Sequence, residues 1–238
     1  MRALLDRARA IDPELADAVT VLAGTGMRKA ELLGLQWWAV DLDRREVHLA
    51  WAISDGGPGV KVVRKETKRS DWRDVPLTSQ VADALRRQHD RAVERGVVGP
   101  SDYVFPGTPD PSVPIRPDTF ADRWLACRGD SPVTLLQLRH FVATTMLDAG
   151  ESYRTVADIL GNSENTLRLH YDGRTDVGTA HPARSNVRIM MGAYPLDVTR
   201  SRRGGESRSL CNPDETLRIL ESSDDCTDVI AAHGHPGR

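Results

Sequence analysis

The side chains with chemistry to offer lie in four separated segments of this 238-residue sequence. The first is Thr25-Gly26-Met27-Arg28-Lys29-Ala30-Glu31-Leu32, where a glycine break opens a helical stretch and Glu31 stands one turn beyond Arg28, near enough to orient it. The second is Thr67-Lys68, in a basic turn with Lys65, Arg69 and Arg73, followed by Asp74-Val75-Pro76-Leu77. The third is Leu135-Leu136-Gln137-Leu138-Arg139-His140, and the fourth is Leu160-Gly161-Asn162 with Tyr171 nine residues later. Guanidinium is planar, permanently charged and matches two phosphate oxygens at once. An ammonium on a flexible stem can deliver a proton when nearby cations lower its pKa. A phenol can act as a nucleophile if its ionised form is favoured, since its ordinary pKa of about 10 makes it sluggish at neutral pH. Taken singly, these features have ordinary explanations. Arg28 and Glu31 read as a surface pair worth a few tenths of a kcal/mol, the basic turn as a solvated loop, and Arg139 as an arginine at the edge of a buried helix face that needs an anionic partner.

Taken together and in this order, the four segments resemble the tyrosine recombinases, or phage integrases, over roughly residues 1–175. The resemblance implies that Arg28 and Arg139 bind the scissile phosphate, that Lys68 (with Lys65 as the alternative) protonates the leaving 5′ oxygen, and that Tyr171 is the nucleophile. Glu31 and His140 then have supporting roles, His140 a structural one. It implies a 3′-phosphotyrosyl intermediate, double-stranded DNA as partner, a homotetramer on paired sites, and no metal, cofactor, membrane or small-molecule substrate. Two positions depart from the family pattern. Leu136 stands where the family usually has His, three residues before the second arginine. Asn162 stands where it usually has His or Trp. Leucine transfers no proton, and an amide can donate a hydrogen bond to phosphate without being a general acid or base. His170 is beside Tyr171, but adjacent helical residues point about 100° apart. One positioned proton-transfer group typically contributes about 10²- to 10⁴-fold in rate. A catalytically degenerate DNA-binding remnant and a type IB topoisomerase-like relaxing enzyme therefore stand as alternatives to a working recombinase. The N-terminal clamp domain usual in the family is expected to be missing.

The elements that must position these residues are mostly helices. Asp12 and Pro13 open a helix marked by Leu15, Ala18, Val19 and Leu22. A short helix spans about 28–35. Val47, Leu49 and Trp51 alternate as a strand after a turn at 41–45, and further strands are predicted at 60–65 and 73–77. Helices follow at 78–95, 117–127, 134–149, up to Gly161, and about 163–172. Thr134 and Gln137 form a capping box for the third of these, and Leu135, Leu138, Val142 and Met146 mark its buried face. The expected fold is α+β: a mainly helical catalytic domain over 1–185 with a small three-stranded antiparallel sheet. Residues 186–238 read as a mostly disordered tail, rich in Ser, Gly and Asp.

Composition bounds the rest. Charged residues make up 28% and hydrophobic residues 39%, as in soluble globular proteins. A net charge of −2 and a pI near 6.4 exclude a globally basic nucleic-acid binder but leave room for a local basic cleft. No apolar run approaches the roughly 20 residues of a membrane span, and the N-terminus lacks a signal-peptide apolar stretch. Three scattered cysteines, Cys127, Cys211 and Cys226, make neither a disulfide framework nor a zinc pair, so a cytoplasmic location is expected.

Overall fold

The computed structural model describes residues 2–54, 62–67 and 72–171. Lys68, Arg69 and the predicted tail over 186–238 lie outside the described residues.

The first helix, α1 (Arg2–Ile11), buries Leu5 and Ala8 and ends at Asp12, whose N–H donates to the Ala8 carbonyl at 2.7 Å. Asp12 also opens the next helix, α2 (Pro13–Thr25): its Oδ1 accepts the Leu15 N–H at 3.0 Å, and Pro13 takes the first turn, where a missing N–H costs nothing. Nearly every side chain of α2 is buried, because α1, α4 (Ser79–Arg95) and α6 (Leu135–Asp148) all lie against it. A helix surrounded in this way must be apolar all round or have its charges paired. The acids of α2 are paired: buried Asp17 meets Arg87 at 2.6 Å and Arg91 at 2.5 Å, and Glu14 meets Arg95 at 3.0 Å.

A short helix, α3 (Lys29–Leu33), leads into the strands. The structure corrects the sheet in detail. Three strands do form one antiparallel sheet, in the order β1 (Val40–Asp41), β2 (Glu46–Leu49), β5 (Arg73–Pro76). A separate two-stranded sheet joins β3 (Trp51–Ser54) to β4 (Val63–Glu66). The alternation Val47-Leu49-Trp51 therefore crosses a break at Ala50. That residue is buried, and its carbonyl accepts both the Thr67 N–H at 2.8 Å and the Thr67 hydroxyl at 3.0 Å, a strap from outside the sheet. In the β2–β5 register Val47 faces Val75 and Leu49 faces Arg73. Strand side chains alternate between faces, so Arg73 lies on the same inward face as Val75.

The later helices match their sequence signals. In α6 the Thr134 Oγ1 accepts the Gln137 N–H at 3.3 Å and the Gln137 side chain returns a bond to the Thr134 N–H at 2.7 Å. Leu138, Val142 and Met146 are buried, and Leu135 is partly so. Between α4 and α6 runs α5 (Pro117–Arg128). Then α7 (Tyr153–Leu160) ends at Gly161, and α8 (Glu164–Tyr171) completes the described chain. Among the described residues no helix is long and apolar enough to cross a membrane.

Candidate active site

The site forms where the C-terminal ends of α2 and α7 meet the start of α3. Gly26 closes α2 in the left-handed region (φ 67°), with its N–H on the Leu22 carbonyl at 2.9 Å. Its own carbonyl is thereby turned outward. After buried Met27, Arg28 lies in extended backbone and starts α3. The Arg28 Nη1 donates to Glu31 Oε1 at 2.8 Å, and its Nη2 donates to the Gly161 carbonyl at 2.6 Å and to Asn162 Oδ1 at 3.2 Å.

Arg139 arrives from α6, flanked by inward Leu138 and Val142. Its Nη1 donates to the Gly26 carbonyl at 2.7 Å, and its Nη2 to the Leu160 carbonyl at 2.5 Å and to Asn162 Oδ1 at 2.8 Å. The two arginines thus meet at one amide oxygen. Guanidinium only donates, so it must be the oxygen of Asn162 that faces them, which leaves the amide NH₂ as the donor on its other side. From sequence, Asn162 stands as a substituted motif position whose amide can donate to phosphate; in the structure its oxygen also serves as an acceptor that holds two cations side by side. The carbonyls at the ends of α2 and α7 carry the negative end of each helix dipole, which suits the positive groups they hold.

Beneath this pair lies Glu31, 2% exposed, in contact with a second cation. Arg73 reaches it from β5 with Nη1 to Oε1 at 3.1 Å and Nη2 to Oε2 at 2.8 Å, while the Arg73 Nε donates to the Ile159 carbonyl at 2.8 Å. Glu31 Oε2 also accepts the Arg28 backbone N–H at 2.7 Å. Burial by itself would raise the Glu31 pKa. The hydrogen bonds and charge of Arg73, then those of Arg28, outweigh it and hold the carboxyl below its ordinary value of 4.5. Arg73 was grouped from sequence with the basic turn. The signal that could have separated it is its place in the alternation Arg73, Val75, Leu77, which puts a guanidinium on the inward face and demands a buried carboxylate.

The remaining predicted residues lie as follows. Leu136 is one helical turn before Arg139 and 66% exposed. His140 is exposed on the same helix. Tyr171 is the last residue of α8, the helix that follows Asn162. Lys65 is exposed on β4, and Lys68 falls in the segment between β4 and β5 outside the described residues. The structure therefore brings Arg28, Glu31, Arg139 and Asn162 together, and adds Arg73. Two adjacent guanidinium groups at a surface-facing turn can take a bidentate oxyanion such as a phosphodiester. Among the described residues no group of three or more His, Cys, Asp or Glu could hold a metal ion.

A sequence model of the phage integrase family matches residues 1–172. The XerC-like tyrosine recombinase of Caldanaerobacter subterraneus subsp. tengcongensis is 26% identical over 161 residues, covering 60% of this chain and 41% of that protein. Tyrosine recombinase XerC 2 of Ralstonia nicotianae is 27% identical over 190 residues, covering 76% and 50%. The chain spans half or less of the length of these curated relatives. Among solved structures, the Tn1549 transposon integrase in complex with circular intermediate DNA has a TM-score of 0.60 at 19% identity, covering 79% of this chain and 64% of that one. XerA recombinase has a TM-score of 0.55 at 22% identity, covering 80% and 62%. These structural likenesses establish the fold, a tyrosine-recombinase catalytic domain, mostly helical with a small antiparallel sheet. With nearly three-quarters of its length matched by the family model, the chain belongs to the phage integrase family of tyrosine recombinases.

Proposed function

We propose that residues 1–185 form the catalytic domain of a site-specific DNA recombinase that cuts and rejoins strands through a 3′-phosphotyrosyl link, with 186–238 as an appended tail. The observation that carries this reading is the meeting of Arg28 and Arg139 at the single oxygen of Asn162. Two guanidinium groups so held can grip the non-bridging oxygens of one backbone phosphate and stabilise the added negative charge of its pentacovalent transition state. In the proposed step the Tyr171 oxygen attacks phosphorus and the bond to the 5′ oxygen breaks. Lys68 gives that oxygen its proton. Leu136 and Asn162 cannot accept the phenol proton, so it passes to solvent, helped by the cationic surroundings that favour phenolate. The 5′ hydroxyl of a partner strand then attacks the phosphorus and releases Tyr171. Exchange between two duplexes requires paired sites, for which a homotetramer is the working assembly.

The test uses nicked duplexes with a randomised core, end-labelled, so that cleavage beside the nick releases a short strand and traps protein on DNA. The wild-type chain is expected to give a labelled covalent adduct stable to detergent, and Tyr171→Phe none, with DNA binding nearly unchanged. A second reading is a DNA-binding protein that no longer cleaves, favoured by the absence of a titratable group at both Leu136 and Asn162. Salt-dependent binding without adduct would establish it and overturn the first. Relaxation of a supercoiled plasmid without strand exchange would instead indicate a topoisomerase-like activity.

A further inference from the structure

We infer that Arg73 is a positioning residue that acts through Glu31 to keep the Arg28 guanidinium turned toward the Gly161–Asn162 edge, an inference that rests on the site proposed above. A carboxylate offers about four lone-pair sites. Those of Glu31 receive Arg73 Nη1 and Nη2, the Arg28 Nη1 and the Arg28 backbone N–H, at 3.1, 2.8, 2.8 and 2.7 Å. The carboxylate is full. Arg28 can therefore give it only one side-chain nitrogen, and its Nη2 stays on the Gly161 carbonyl and Asn162 Oδ1.

Without Arg73 that division fails. A buried carboxylate with two vacated sites draws in the nearest guanidinium, and the paired fork of Arg28 on Glu31 is the stronger arrangement. Nη2 would swing away from Asn162, the atom that also orients Arg139. The placement of Arg73 is itself specific. Its side chain is 8% exposed, its Nε ties it to the Ile159 carbonyl in the last turn of α7, and Gly161 makes the room it occupies. A Cβ at Gly161 would stand 2.6 Å from Arg73 Nη1 and 2.8 Å from its Cζ. One side chain thus connects β5, the start of α3 and the end of α7, the elements on which Arg28 and Asn162 sit.

The test has two arms, on the full chain. In the first, arginine side-chain N–H signals are assigned by NMR in wild type, Arg73→Gln and Arg73→Lys, with Arg87→Gln on α4 as a control that removes one partner of the buried Asp17 on α2. Arg73→Gln is expected to move the Arg28 and Arg139 signals and the Asn162 side-chain amide, Arg73→Lys to restore them in part, and Arg87→Gln to leave them in place. In the second arm, single-turnover cleavage is measured at saturating nicked duplex, well below every melting midpoint. Misplacement of a binding group by about 1 Å can cost on the order of 10²-fold. Arg73→Gln should lose about that factor in cleavage rate with less than a threefold change in DNA affinity, and Arg87→Gln should lose neither. Unmoved Arg28 and Asn162 signals in folded Arg73→Gln, or a cleavage loss equal to that of Arg87→Gln, would overturn the assignment. A wild-type chain that does not cleave would overturn the recombinase reading instead, and the first arm would still decide the role of Arg73.

Discussion

Replacing Glu31 by glutamine keeps the volume of the side chain and removes its charge. The carboxylate accepts hydrogen bonds from Arg28 and Arg73 on both oxygens. Glutamine offers one oxygen in place of two and turns an NH₂ toward donors that cannot accept from it. Breaking a buried ion pair by removing one partner typically costs about 3–5 kcal/mol. Arg28 retains 43% side-chain exposure and can be rehydrated, so the lower end, about 3 kcal/mol, is expected. For a domain of this size roughly 1 kcal/mol moves the melting temperature by about 2–4 °C, so Tm should fall by about 6–12 °C at pH 7. The dependence on pH supplies a second check. The folded-state pKa of Glu31 is depressed below 4.5, so its stabilisation is complete above that pH and is lost as pH falls through the folded value. Thermal melts followed by circular dichroism from pH 7 downward should show the gap between wild type and Glu31→Gln closing in that window. A Tm within about 2 °C of wild type at pH 7, or a gap that stays constant to the acid limit of folding, would refute the four-bond account of Glu31.

Other substitutions probe the same frame. Asn162→Asp sets a carboxylate between Arg28 and Arg139; it should raise Tm slightly, in keeping with about 0.5–1 kcal/mol for a partly exposed pair, and weaken salt-dependent DNA binding by occupying the oxyanion position. Leu136→His, at an exposed position, should leave stability within about 0.5 kcal/mol and raise the rate of adduct formation about 10²-fold, the low end of what a proton-transfer group contributes. No gain in a chain that cleaves measurably would show that Leu136 is not the position where such a group is needed. Thr134→Ala removes the hydroxyl of the capping box and should cost about 1 kcal/mol, read as a fall in melting temperature with no change in DNA affinity.

What could be read from the sequence followed from local physics. Arg28 and Glu31 are three residues apart, Thr134 and Gln137 form a capping box, and Asp12-Pro13 opens a helix; each is a contact within one turn, and each is present. The tertiary arrangement was less accessible. The alternation from Val47 to Trp51 carries no mark of the break at Ala50, because the strap that makes it comes from Thr67. The strand β1, which overlaps the expected turn at 41–45 only at Asp41, is two residues long, too short for any periodicity to reveal. Arg73 was hidden for the opposite reason: it lies in a run of basic residues, and only its inward parity with Val75, combined with the position of α3, distinguishes it from a solvated neighbour. That Arg28 and Arg139 meet at Asn162 could be expected only through the order of family motifs, since no local rule joins α3, α6 and the end of α7.

The anchoring of the two arginines has a consequence for how this site can change over evolutionary time. Three of their acceptors, the carbonyls of Gly26, Leu160 and Gly161, belong to the main chain. No point mutation deletes a main-chain oxygen, so the anchorage passes between descendants with the backbone and is indifferent to drift in most neighbouring side chains. Its fragility is concentrated at the two glycines. Both have positive φ, at 67° and 64°, and a methyl group there would stand 2.5 Å from Leu160 Cδ2 or 2.6 Å from Arg73 Nη1. A lineage could therefore exchange the exposed Leu136 and keep these main-chain anchors of Arg28 and Arg139, whereas one that replaced Gly26 or Gly161 would disturb them in a single step.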